Sequence, residues 1–181
     1  MTMSIFTNSA HSTPEERQAY SPAVVALLGE QDPLAVLTAA LEALPLATAG
    51  LSTTQLTTPE VQGKWSIRDV VQHLVDSEIV WSFRMRMVLA QDRPSLTPYD
   101  QDLWASRLHY DSVDTNDALA EFDVLRRANL RLLALTSPTD RTRVGLHAER
   151  GEESVERMMR LYAGHDLLHL QQIARIRALV A

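Results

Sequence analysis

Apolar residues recur at alternating spacings of three and four along most of this chain, and strand-like alternation is nearly absent. Thr13-Pro14-Glu15-Glu16 reads as a cap, a first-turn proline and first-turn acids, opening a short helix that Ser21-Pro22 interrupts. Asp32-Pro33 repeats the signal and predicts the first long helix, to about Pro45, followed by a Thr-rich loop over 52–58. Ser66 with Asp69 forms a shortened capping box for the second. Its stripe is Ile67, Val71, Leu74, Glu78, Trp81, Met85 and Val88, and Asp92-Arg93-Pro94 ends it. Residues 94–113 read as a long connection with room for a short helix. Asp114 caps a third helix through Leu119, Phe122, Leu125, Leu132 and Leu135 to about Thr136. After an irregular loop over 137–153, Ser154 starts the last helix, with Val155, Met159, Tyr162, His169, Ile173, Ile176 and Val180 on one stripe. The expected architecture is all-α, a four-helix bundle over 32–181 with a crossover between helices two and three and an N-terminal lead over 1–31.

Composition narrows the chemistry. The 181 residues suit one domain that buries about two-thirds of its unfolded surface. With 17 basic and 23 acidic residues the net charge is −6, which argues against a nucleic-acid partner. No cysteine is present, so disulfides, thiolate-held metals and a cysteine nucleophile are excluded. The longest uncharged stretch, 43–59, is rich in Thr, Ser and Pro, and the first 13 residues lack the pattern of a signal peptide. The expectation is a cytoplasmic protein without a membrane segment.

His165 and His169 carry the strongest chemical signal. Four residues apart, they sit about 40° from each other on one helix face and can converge on one ion. The competing reading is two unrelated histidines, one of them a hydrogen-bonded core residue; the pair alone divides these evenly. His73, near the start of the second long helix, offers a third imidazole from a facing helix; its alternative is a surface histidine beside Asp69 and Asp76. His165-Asp166-Leu167-Leu168-His169 shares its spacing with the H-E-x-x-H helix of zinc peptidases. Asp166 is one methylene shorter than the base used there, and the twelve residues after His169 hold no His or Glu, which disfavours that class. Glu78 lies on the apolar stripe, where a carboxylate needs a partner: a metal-bound imidazole or an arginine, Arg84 or one on another helix. His147 reads as a solvated loop histidine. Tyr99, Asp100 and Asp102 mix acids and an aromatic ring as a pocket wall does, while Trp104 reads as a plug at the bundle end.

Assembled, these segments resemble the DinB/YfiT-like superfamily of metalloenzymes. The resemblance rests on Gly63-Lys64-Trp65-Ser66 through Glu78, Tyr99-Asp100-Gln101-Asp102-Leu103-Trp104-Ala105, 145–151, and Ala163-Gly164-His165 through Ile173. It implies an up-down-down-up bundle, often a homodimer, with zinc or nickel on His73, His165 and His169. It further implies a low-molecular-weight thiol, such as bacillithiol, transferred to an electrophilic small molecule; a related branch holds mycothiol-dependent isomerases. Glu78, Tyr99, Asp100, Asp102 and Asp166 are then candidates for the surroundings of the ion or the substrate pocket. A hydrolase that uses metal-bound water and a non-catalytic metal- or ligand-binding module are the alternatives.

Overall fold

Local side-chain chemistry sets where the long helices begin. Ser66 accepts from the Asp69 amide while Asp69 accepts from the Ser66 amide at 2.9 Å, and helix α4 runs Ile67–Ala90. Asp32 caps α2 (Pro33–Thr48) by accepting from the Ala35 amide, and Asp114 caps α6 (Thr115–Ala134) by accepting from the amides of Asn116 and Asp117. The computed structural model describes the backbone of residues 14–180 and the side chains of 19–180. Thr13, read as a cap, lies outside the described residues. The remaining helices are α1 (Pro14–Leu28), α3 (Thr53–Thr57), α5 (Gln101–Arg107), α7 (Pro138–Arg141) and α8 (Val155–Val180).

The four long helices α2, α4, α6 and α8 form a four-helix bundle whose directions follow from cross-helix bonds. Arg160 reaches the Gly29 carbonyl and Arg177 the Ala47 carbonyl, so α2 and α8 run together. Arg143, just before α8, donates to the carbonyls of Val88 and Gln91 at the far end of α4, so α4 opposes α8. Ala118 and Phe122 at the start of α6 pack with Ile67 to Val75 at the start of α4, so α6 follows α4. The order is up-down-down-up, and the 94–114 crossover permits two successive helices to point the same way. No single helix among the described residues is long and apolar enough to cross a membrane.

Several sequence expectations need correction. Helix α1 continues through Pro22, and α2 through Pro45. Val24, Leu28 and Leu44 are fully or almost fully buried, and that packing outweighs the lost backbone bonds. The Thr-rich segment contains α3, capped by Ser52. Residues 94–154 contribute a small three-stranded sheet: β1 (Ser95–Leu96) pairs in parallel with β2 (Val144–His147), which pairs antiparallel with β3 (Gly151–Ser154). On α6 the buried face is Ala118, Phe122, Arg126, Asn129 and Leu133, not the Leu125–Leu132–Leu135 stripe; Leu135 is 84% exposed. The polar members of that face hide it from an apolar-pattern search. Trp104 is half-buried against Tyr99, ring centroids 4.5 Å apart, rather than plugging the bundle; the buried aromatic of the crossover is Tyr110.

Gly164 sets the seating of α1 on α8. A Cβ there would stand 2.2 Å from the Val24 carbonyl oxygen, a backbone atom that cannot rotate away. Gly164→Ala should therefore push α1 off α8 and destabilise the fold by about 1–3 kcal/mol despite alanine's better helix propensity. Thermal unfolding checks this; an unchanged or raised midpoint would contradict the close approach.

Candidate metal centre

Helix α4 brings His73 inward about two turns from its cap, and α8 presents His165 and His169 on successive turns. The three Nε2 atoms face one another: His165 Nε2 lies 3.1 Å from both His73 Nε2 and His169 Nε2. All three ligand atoms lie within 4.8 Å of one another, and all three residues are buried. Two nitrogens bound to one ion at about 2.1 Å stand roughly 3.0 Å apart at a right angle and 3.4 Å apart at the tetrahedral angle. The 3.1 Å separations fall inside that range, so the residues fit a dication.

The surroundings reinforce the fit. His169 Nδ1 donates to Gln172 Oε1 at 2.9 Å, which leaves its Nε2 bare toward the group. Trp65 covers His73 and His169, with ring centroids 4.8 and 6.5 Å away. His73 Nδ1 and His165 Nδ1 are buried without partners. Burial holds His73 and His165 well below the ordinary imidazole range, with the neighbouring histidines adding to the effect. Burial likewise lowers His169 to about 4, against the pull of Gln172. Three neutral imidazoles with converging lone pairs are what a divalent ion requires.

These depressed values have a consequence for the metal-free protein. Each histidine is neutral in the fold but takes a proton near pH 6.5 once unfolded, so the unfolded chain binds more protons below that pH. Stability should fall as pH drops from about 6.5 toward 4, each histidine contributing a slope approaching 1.4 kcal/mol per pH unit (about the value of one pKa unit). Burial pushes the Asp166 carboxyl up to about 6, so that one group acts in the opposite direction between about 6 and 4. Denaturant midpoints of metal-free protein at pH 7.5, 6.5 and 5.5 test whether these histidines, together with His147, which burial lowers to about 4, outweigh Asp166 and the likewise raised Asp76; constant or rising stability would refute it.

Glu78 and Asp166 do not touch the imidazoles. Both are tied to Arg126, which is 0% exposed. Its five N–H bonds find Glu78 Oε1 twice (2.9 and 2.5 Å), Asp166 Oδ1 and Oδ2 (3.0 and 2.5 Å) and the Leu37 carbonyl (2.9 Å). Its guanidinium carbon also lies 4.6 and 4.7 Å from the ring centroids of Phe122 and Tyr162. One guanidinium from α6 thus joins α2, α4 and α8. Two carboxylates around one guanidinium leave a formal charge of −1 next to His165, which suits a nearby dication.

A cavity of about 450 Å³ reaches the histidines at His165 and Ser77 and extends past Trp81 and Tyr99 to Arg84, His147 and Arg150. The Ser77 hydroxyl lies 3.5 Å from both His73 Nε2 and the Tyr99 hydroxyl. Burial raises the Tyr99 phenol, which keeps it protonated at neutral pH. Asp100 is exposed and caps α5, accepting from the amides of Asp102 and Leu103; Asp102 is half-exposed on the first turn of that helix. Neither lines the cavity, whereas Tyr99 does. His147 is not solvated: β2 alternates inward Gly145 and His147 with outward Leu146, burying the imidazole to 2% exposure.

The model of the DinB superfamily matches residues 36–173, which include all three histidines. This chain belongs to the DinB superfamily. A relative from Oceanobacillus iheyensis, named "Putative metal-dependent hydrolase", is 31% identical over 70% of this chain and 73% of its own. A Bacillus mycoides protein of the same name is 31% identical over 74% of this chain and 77% of its own. The solved structure of YfiT from Bacillus subtilis, described as a probable metal-dependent hydrolase with an unusual four-helix bundle topology, superposes with a TM-score of 0.75. It is 24% identical and covers 92% of this chain and 89% of that one. Within this DinB-superfamily chain, Trp65, Arg126 and Gln172 are surrounding residues that helical spacing did not single out, while Arg84, offered as a partner for Glu78, and His147, read as solvated, instead line the cavity. The one available signal was the inward alternation Gly145–His147 on a strand.

Proposed function

We propose that this DinB-superfamily protein is a divalent-metal-dependent enzyme in which His73, His165 and His169 hold the ion; three imidazoles suit zinc, nickel, iron and copper alike, and zinc or nickel is what the family resemblance implies. The observation that carries the reading is the convergence of three neutral, buried Nε2 atoms beside an open cavity, with no fourth His, Asp or Glu in the group among the described residues. A closed structural site would use four protein ligands; three leave room for a reactant.

Of the reactions such a site serves, thiol transfer to an electrophilic small molecule fits the neighbouring residues best. A bound dication would lower the pKa of a thiol from about 8.5 so that it stays ionised at neutral pH. The sulfur then forms its bond to the electrophilic carbon, the leaving group departs with the bonding pair, and the thiol proton passes to solvent. The buried carboxylates near the histidines are engaged: Asp76 by the Tyr110 hydroxyl and Gln72, Glu78 and Asp166 by Arg126. A thiol sheds its proton without such a base far more readily than water does. Tyr99 supplies a neutral hydroxyl to the departing group, and Trp81 and Leu161 form apolar wall. Metal-assisted hydrolysis is the second reading, favoured by the names of the relatives.

The test compares metal-loaded and chelated protein with several low-molecular-weight thiols and a chloro- or epoxide electrophile. Raising the thiolate fraction from roughly 3% to nearly all predicts up to about a 30-fold difference in thiol consumption. Equal rates would remove the transferase reading, and metal-dependent cleavage in a parallel ester and amide panel would establish the hydrolase.

A further inference from the structure

We propose that the end of the cavity remote from the histidines is a carboxylate-binding subsite built by Arg84 and His147, so that the substrate of this centre carries an acidic group. The inference rests on the cavity belonging to the proposed metal site, but its chemistry comes from different residues. Arg84 is 6% exposed, and its partners among the described residues are the Thr97 carbonyl at 2.5 Å and the Tyr99 ring at 6.0 Å. Among the described residues no carboxylate forms an ion pair with it, Glu149 and Glu153 acting only at longer range, and a guanidinium has five N–H donors to satisfy. His147 is 2% exposed, and its Nδ1 accepts the Glu149 amide at 3.3 Å. An amide can donate only to a bare nitrogen, so the ring proton sits on Nε2, which is buried without an acceptor. Burial with Arg150 and Arg84 lowers His147 to about 4, so at neutral pH it is a neutral donor.

The buried His147 Nε2–H therefore lacks an acceptor, which costs free energy unless a ligand supplies one, and Arg84 brings its guanidinium to the same cavity. The neighbouring charges set the ligand's class. Arg150 lies in a two-bond pair with Glu153, at 2.7 and 2.8 Å, and Glu149 also lines the cavity. Arg84 and Arg150 are thus balanced by Glu149 and Glu153, so a doubly charged phosphate would face two acids, while a single carboxylate needs only the guanidinium fork and the His147 N–H. The planar guanidinium also matches two carboxylate oxygens.

Calorimetric titration of succinate, succinamide and inorganic phosphate into metal-loaded and chelated protein tests this without any turnover. Succinate should bind in both states, since a metal-only contact would vanish on chelation, and succinamide should bind at least tenfold more weakly. Arg84→Gln and His147→Phe should each weaken succinate at least tenfold while bound metal stays equimolar; if one variant does not fold, the other decides. Equal affinity for succinate and succinamide, tighter binding of phosphate, binding that disappears with the metal, or unaltered succinate affinity in the folded variants would each overturn the subsite. Because the probes have no thiol, failure of the transferase reading leaves this outcome intact, and the converse holds.

Discussion

Replacing His169 with alanine is expected to abolish stoichiometric ion binding while the helical content persists. His165 Nε2 would then have one imidazole neighbour at 3.1 Å instead of two. Residues that only orient a ligand typically contribute 10–100-fold to metal affinity, so losing a ligand should cost more than about 100-fold. The fold should survive because the substitution removes a buried imidazole that lacks an apolar packing role comparable to Ile173 or Met159. Gln172→Ala should have the smaller effect, about 10–100-fold, because it frees the His169 ring without removing a ligand. Elemental analysis after dialysis, with far-UV circular dichroism on the same samples, reads both quantities. Equimolar metal in His169→Ala would show that the ion, if bound, is held elsewhere.

The second large effect concerns stability. Arg126→Met leaves Glu78 and Asp166 buried at 0% and 2% exposure with no cation between them. Removing one partner of a buried ion pair costs about 3–5 kcal/mol. For a chain of this size that lowers the thermal midpoint by roughly 10–15 °C. Asn129 still donates to Glu78 at 3.0 Å, so part of the network remains. Arg126→Lys restores the charge but supplies three donors where four acceptor atoms take five bonds, and it should fall between wild type and Arg126→Met. The combination Arg126→Met, Glu78→Gln, Asp166→Asn should recover part of the loss, since it removes the stranded charges. A midpoint within about 2 °C of wild type for Arg126→Met would contradict the role of the guanidinium as the clamp of the bundle.

The two tests separate functions that adjacent residues in the chain perform. His165 and Asp166 are neighbours on α8, yet one faces the ion site and the other the clamp. A helix turns about 100° per residue, so consecutive side chains serve different faces. This is why reading His165 through His169 as a peptidase-like motif fails in detail: the acid within it is spent on Arg126 rather than on a reacting water.

Local pattern determined much about this chain. The caps at Asp32, Ser66 and Asp114 and the stripes on α4 and α8 were legible because each depends on residues within a few positions of one another. The four-residue spacing of His165 and His169 is likewise a property of one helix; His73 was offered as their partner by its place on a second helix, and the resemblance implied the same three. What tertiary structure alone decided depends on residues far apart in sequence. Pro22 and Pro45 look like breaks until the core that holds α1 and α2 together is present. The buried face of α6 is centred on Arg126, a residue whose burial makes sense only once Glu78 and Asp166, 48 and 40 positions away, arrive to pair with it. His147 became a buried donor because β2 pairs with β1 across a separation of some fifty residues, which turns a loop into a strand with an inner face. Periodicity reports which face of an element is apolar; it carries no information about a polar group whose partners come from another element, and those groups define this cavity.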